Sequence, residues 1–429
     1  MAAQPQITAG AYLRLVALGA VVGIPAALVA AVFLALVHDI EHWLWHDLPD
    51  ALGHSSAPWY LTIGLPAVGG VIVALVRLLL PGDGGHRPLE GLAMGATPLA
   101  YGPGIAVAGL GTLAFGAVLG PEAPLIALGS VVGMSMTLFY RANQREETVL
   151  ATAGSFSAIS ALFGGPLVGG MLMVEGGLAM GTALLPIILP GFVASAVGYL
   201  IFIGLGDWGG LEAQGLAVPN LPPYEGTHVL DLLVAVAVGV VAALVVVAAR
   251  RLAGPLDARA RRRADLPIVL VLGGLAVGLL AQTAAWLGAD SQDVLFSGQA
   301  SVPDLVASDS TKIILILVVA KGIAYAVSLG CGFRGGPVFP AIFLGIALAT
   351  FTSVWFDVSP TLAVAMGTAA GTAAVTRLLV TSSLFATLLV GPPGTDAVPA
   401  AVLAACAAWL VIQAVDRRRA AAATVDVVS

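Results

Sequence analysis

The sequence predicts an all-α integral membrane protein built from two related halves. Three observations lead there: the composition is too apolar for water, the apolar runs match bilayer thickness, and one short segment occurs twice. Of the 429 residues, 59% are hydrophobic and only 10% are charged. The mean hydropathy of +1.00 lies beyond that of water-soluble globular domains. Apolar runs fall at about 11–37, 58–80, 104–119, 124–140, 148–175, 181–205, 229–249, 267–288, 312–329, 338–356, 361–391 and 398–415. A spanning helix needs about 20 apolar residues, so several runs are too long for one pass and several too short for a full one.

Taken in order, the first run is about 27 residues long and lacks a positive leader with a small-residue cleavage pattern. It is therefore expected to be a true first helix rather than a signal peptide. Arginines cluster in four segments: Arg77 and Arg87, Arg141 and Arg145, Arg250 to Arg263, and Arg417 to Arg419. The positive-inside rule places all four in the cytoplasm, and with them a short C-terminal tail, 417–429, carrying no regulatory domain. Loops that are acidic or aromatic belong outside: Asp39 to Asp50 with Trp43 and Trp45, Asp207 to Asp231, Asp290 to Asp309, and Asp357. The two sets alternate along the chain only if some apolar runs are re-entrant pairs. Cys331 and Cys406 both fall in apolar runs and suggest no disulfide framework.

The duplicated segment reads GPEAPLIALG at 120–129 and GPVFPAIFLG at 336–345. Six of its positions match without gaps at a constant offset of 216 (336 − 120), close to half the chain. Glycine and proline are common here, 53 and 26 residues, so chance is the competing explanation. An internal duplication about a pseudo-two-fold axis accounts for it better, with 1–215 as the first repeat and 216–416 as the second. Each copy is punctuated as a helix that begins inside the membrane, with proline expected at the first helical position.

The free N–H groups of such a first turn carry the positive end of the helix dipole. In one copy these belong to Glu122 and Ala123, in the other to Val338 and Phe339. Two such ends facing each other at mid-depth form a site for a small anion without lysine or arginine. Glu122 then has a meaning, because a carboxylate there occupies the anion's place when ionised and vacates it when protonated or swung aside. The competing reading is a carboxylate that merely stabilises its helix N-terminus, worth about 0.3–2 kcal/mol.

These residues resemble the CLC family of chloride channels and chloride/proton exchangers. LAFGAVLGPEAPLIALGS (113–130) is similar to the family's gate segment, with Glu122 at the gating glutamate, and SLGCGFRGGPVFPAIFLG (328–345) is similar to its GxFxP segment. ATAGSFSAISALFGGPLVGGMLMVE (151–175) and VTRLLVTSSLF (375–385) resemble the helices after each, and Lys321 falls where a basic residue is usual. The resemblance implies an inverted-topology repeat with tilted and broken helices. It also implies a homodimer whose subunits each hold an ion pathway, in the cell inner membrane, with chloride or a similar small anion as cargo and no cofactor.

Departures from the family pattern bear on mechanism. GDGGHRPLEG (82–91) stands where GSGIP and an EG pair are expected, so Gly84 replaces the ion-binding serine. Pro121 replaces an arginine, Ala123 a glycine, and Val338 the GxFxP phenylalanine, with Phe339 one place on. No tyrosine follows Tyr325, and the internal proton glutamate falls on Gly176, leaving Glu175 alone. The resemblance therefore implies a central site resting on backbone N–H groups, and passive, channel-like conduction. A chloride/proton antiporter, or a variant selective for fluoride or another anion, is the alternative.

The remaining candidates each carry two readings. Gly82, Gly84 and Gly85 form either a flexible turn or an inner pore entrance, where His86 and Arg87 add positive potential. Arg334 and Lys321 read as a basic vestibule, or, for Lys321 with Arg377, as a buried pair. Glu175 either ends a helix at the cytoplasmic face or serves a proton path or subunit contact. HDIEH (38–42) satisfies a zinc-peptidase pattern through His38, Glu41 and His42, but Trp43 and Trp45 beside it read as an interfacial belt and no third ligand announces itself. No metal site, catalytic constellation or nucleic-acid signature is expected. A non-transporting scaffold, or an organic-solute carrier of another inverted-repeat family, completes the alternatives.

Overall fold

The computed structural model describes residues 8–92, 95–139, 142–206, 209–211 and 217–428. Arg141 and Asp207, used in the topology argument above, lie outside the described residues. The first half holds α1 (Ala9–His42), α2 (Trp59–Leu79), α3 (Gly102–Leu113), α4 (Glu122–Ser135), α5 (Gln144–Leu162), α6 (Pro166–Gly176) and α7 (Leu185–Ile203). The second half repeats the series as α8 (Val229–Ala260), α9 (Leu266–Trp286), α10 (Thr311–Gly330), α11 (Val338–Phe356), α12 (Pro360–Thr376), α13 (Val380–Val390) and α14 (Val398–Val428). Among the described residues, eight helical stretches are long and apolar enough to span a bilayer, while α4, α6 and α13 belong to the shorter apolar set. The chain is an integral, multi-pass membrane protein.

The offset read from the duplicated segment recurs in the element boundaries. Helix α11 begins 216 residues after α4 (338 − 122), and α12 begins 216 after α5 (360 − 144). Packing repeats too: α5 lies against α1, α4 and α7, and α12 lies against α8, α11 and α14. Helix α2 packs on its own counterpart α9, as elements beside a two-fold axis must.

Two apolar runs divide as re-entrant pairs require. The run at 148–175 breaks between α5 and α6, and the run at 361–391 breaks between α12 and α13, where Arg377 takes a left-handed conformation at φ 64°. Pro121 and Pro337 precede their helices rather than opening them, at φ −80°, ψ −3° and φ −90°, ψ −1°. The correction is one residue. A proline there blocks the helix from extending backward while leaving the next two N–H groups free.

The first helix ends differently from the expected aromatic belt. A π-helical turn over Trp43–Asp47 turns Trp45 inward, where it is 1% exposed and donates its indole N–H to the Ala114 carbonyl at 3.0 Å. Only Trp43 keeps an outward position. Among the described residues, no three histidine, cysteine or acidic side chains converge as a metal site would need.

Close helix approach rests on small residues, because lipid gives helices no hydrophobic reason to associate. A Cβ on Gly129 of α4 would strike the Gly154 backbone of α5, and one on Gly345 of α11 would strike Gly367 of α12. Gly129→Leu is therefore expected to force α4 and α5 apart. Size-exclusion chromatography in detergent checks it, with loss of the monodisperse peak expected.

Candidate anion site

Two glycines fix the geometry. Gly120 and Gly336 exchange backbone hydrogen bonds of 2.7 and 2.6 Å as an isolated antiparallel bridge, so residues related by the 216 offset bond to each other. Helices α4 and α11 start two residues beyond this bridge and face it from either side. Tyr325 of α10, fully buried, donates its hydroxyl to the Pro337 carbonyl at 2.8 Å and holds the turn that aims α11.

Glu122, the first residue of α4, is 0% exposed. Its Oε1 accepts the Val338 N–H at 2.8 Å and the Phe339 N–H at 3.1 Å. The other oxygen, Oε2, has no hydrogen-bond partner. A Cβ on Gly120 or Gly336 would meet the Glu122 carboxyl before anything else, so glycine at both positions makes room for it. The carboxylate rests on two backbone N–H groups at a helix N-terminus, an environment suited to a negative charge.

Of the expected N–H groups, those of Val338 and Phe339 hold the carboxylate. Ala123 lines the space on the other side of the Glu122 turn. There a cavity of about 290 Å³ runs from Gly82, Gly85 and His86, past Tyr101 and Ile105, to Ala123. The glycine-rich loop therefore borders a space that reaches Ala123, next to Glu122. A smaller void of about 10 Å³ continues between Gly84, His86, Arg334, Ala123 and Pro124.

The loop itself holds an unusual backbone, with positive φ at Gly82, Asp83, Gly84 and Gly85. Two buried arginines clamp it through the half-exposed Asp83. Arg77 donates to both Asp83 carboxylate oxygens at 2.9 and 3.1 Å and to the Gly332 carbonyl at 3.0 Å. Arg334 donates to the Asp83 carbonyl at 2.9 Å and pairs with its carboxylate. Burial pushes the Asp83 carboxyl up, yet the hydrogen bonds and charges of Arg77 and Arg334 outweigh it and hold the group below its ordinary value.

Residues 88–412 match the family model described as voltage gated chloride channel. The chain belongs to the voltage-gated chloride channel family. Two relatives, from Escherichia coli (strain SE11) and Shigella boydii serotype 4 (strain Sb227), both carry the name "Putative ion-transport protein YfeO". Each is 29% identical over 338 residues, 76% of this chain and 76% of its own. Among solved structures, a slow cyanobacterial Cl⁻/H⁺ antiporter superposes with a TM-score of 0.73 at 16% identity, covering 94% of this chain and 95% of its own. A CLC-type fluoride/proton antiporter gives 0.72 at 19%, covering 95% and 97%. These likenesses establish the fold, an inverted-topology repeat with tilted and broken helices.

Two sequence expectations change in the structure. Lys321 does not line a vestibule: it is 0% exposed, and its ammonium donates to the Asp293, Val294 and Leu295 carbonyls at 2.8, 3.4 and 2.7 Å while lying 4.5 Å over the Phe343 ring. It closes the end of a short helical turn, Ser291–Val294, while Arg377 pairs with Asp416 at 2.6 Å, partly exposed. Arg334, 2% exposed, spends its guanidinium on the Asp83 loop, so it borders the small void as a structural clamp rather than an open vestibule.

Glu175 ends its helix, one of the two readings given for it. From the end of α6 it accepts the N–H groups of Leu379, Val380 and Thr381 at 2.6, 3.1 and 2.8 Å and the Thr381 hydroxyl at 2.8 Å. It caps its counterpart helix α13. Helix α13 in turn presents Phe385, whose ring packs on Phe163 at 4.8 Å and Phe339 at 6.0 Å, beside the N–H group that holds Glu122. Arg77, Asp83, Tyr325 and Trp45 were not legible as site-building residues, since nothing in their local sequence points at distant backbone carbonyls.

Two outcomes are expected. Gly336→Ala places a methyl on the Glu122 carboxyl, so chloride efflux from liposomes at neutral pH is expected to rise while the detergent melting temperature stays near wild type. Glu175→Ala removes the α13 cap, and thermal melts are expected to show a loss of about 1–2 kcal/mol.

Proposed function

We propose that this chain moves chloride or a similar small anion passively, with Glu122 as a gate that competes with the ion for the Val338 and Phe339 N–H groups. The single observation that carries the reading is the Glu122 carboxylate seated on those two donors with its second oxygen unpartnered. Magnitudes explain why such a seat works as a gate. Each charge-assisted hydrogen bond returns about 1.5–3 kcal/mol and the helix N-terminus about 0.3–2 kcal/mol. Desolvating the carboxylate costs several kcal/mol. The balance is close, so a proton or a competing anion tips it.

The inner half of the route suits a conductor better than an exchanger. Gly176 offers no carboxyl, and Glu175 is engaged by four hydrogen bonds from α13. The anion enters from the cavity at Gly82 and Gly85, passes Ala123, and meets Glu122. We place the repeats at 1–215 and 216–416, with the 417–429 tail in the cytoplasm of the cell inner membrane and two copies forming a homodimer.

Glu122→Gln keeps the shape and removes the charge. Chloride efflux and internal pH, recorded together from liposomes under a chloride gradient, are expected to show raised efflux that no longer follows this group's protonation. Wild type is expected to release chloride without uphill proton movement. Proton pumping driven by chloride would replace the passive reading with exchange.

A further inference from the structure

We propose that His86 is a protonatable anion ligand at the neck between the inner cavity and the Glu122 turn, so that anion entry follows its charge. The inference rests on the reading of Glu122 as the gate and concerns the step before it.

The geometry sets the neck. The cavity of about 290 Å³ shares Gly85, His86, Ile105 and Ala123 with the void of about 10 Å³, which Pro124 and Arg334 also line. That is room for about one water-sized species. His86 lines both spaces, together with Gly85, Ile105 and Ala123 next to Glu122. Among the described residues lining both spaces, His86 is the one side chain whose charge changes near neutral pH.

The charges facing it are fixed and carry a positive excess, with no carboxylate to spare for His86. Arg334 and Arg77 share Asp83 across the loop. Glu90 lies 3.9 Å from His86 Nε2, but it also faces Arg87 at 3.7 Å and Arg261 at 3.9 Å. A proton on His86 therefore adds a charge that these groups leave uncompensated, inside low-dielectric walls that focus its field on the neck. Burial holds His86 below its ordinary value of 6.5; Glu90 opposes that, and Arg334 and Arg87 add to it. The charged form thus belongs to the acid side, and entry rises as pH falls.

The test uses Glu122→Gln, which removes the gate's own titration, in liposomes loaded with chloride at equal pH inside and out. Efflux is expected to rise roughly tenfold from about pH 7.5 to about pH 5.5, the low end of electrostatic steering. Adding His86→Gln is expected to leave efflux low and flat across that range. Adding His86→Lys is expected to leave it high and flat, which excludes misfolding as the cause. A pH response that survives in the His86→Gln double variant overturns the proposal, as does a conducting Glu122→Gln protein with no pH response. If Glu122→Gln matches wild type in both flux and pH response, the gate reading fails, and His86→Gln alone then decides the role of His86.

Discussion

The two backbone hydrogen bonds between Gly120 and Gly336 are the constraint on which the rest of the structure depends. They tie the two halves together at the point where each chain segment turns into a helix. With that point fixed, the N-termini of α4 and α11 face each other across a few ångströms, and neither helix can slide along its axis without breaking the bridge. The missing Cβ atoms leave the space that Glu122 fills. Ser328, accepting the Val118 N–H at 3.0 Å, and Thr112, accepting the Arg334 N–H at 3.0 Å, stitch the same segments a few residues upstream. A bridge between equivalent residues also explains why α2 meets α9, since both pairs lie beside one axis.

Charge is used sparingly and for two distinct purposes. The Glu122 carboxylate rests on neutral N–H groups, and under the proposed function their partial charges stabilise a halide without holding it too tightly for release. The full charges buried nearby hold backbone. Arg77 and Arg334 clamp the Asp83 loop from opposite halves, Lys321 gathers three carbonyls, and Glu175 caps α13. Each satisfies groups that a broken helix leaves unpaired in a medium with no water to offer.

Much of this was legible in the sequence because duplication and helix-start chemistry leave local marks. GPEAP and GPVFP announce where two helices begin, and their offset predicts which residues meet. Glu122 stood out because a carboxylate in so apolar a run needs a reason. What was not legible is the direction in which a charged side chain turns. Lys321 and Arg334 looked like vestibule residues from their position along the chain. Their partners are carbonyls of residues 293–295 and the carbonyl and carboxylate of Asp83, which only the tertiary fold brings near. Trp45 misled for a related reason: it lies in a π-helical turn, whose wider spacing shifts its angular position from the one α-helical spacing predicts, and it packs into the protein rather than at the interface. Glu175 could have been read as a cap only with α13 already in place.

The central claim is that the Glu122 carboxylate and a halide compete for one seat. The most direct measurement is the anomalous diffraction of Glu122→Ala crystals grown in bromide. A bromide peak within hydrogen-bonding distance of the Val338 and Phe339 nitrogens is the predicted result. Crystals that hold bromide elsewhere and leave those two N–H groups to water would contradict it.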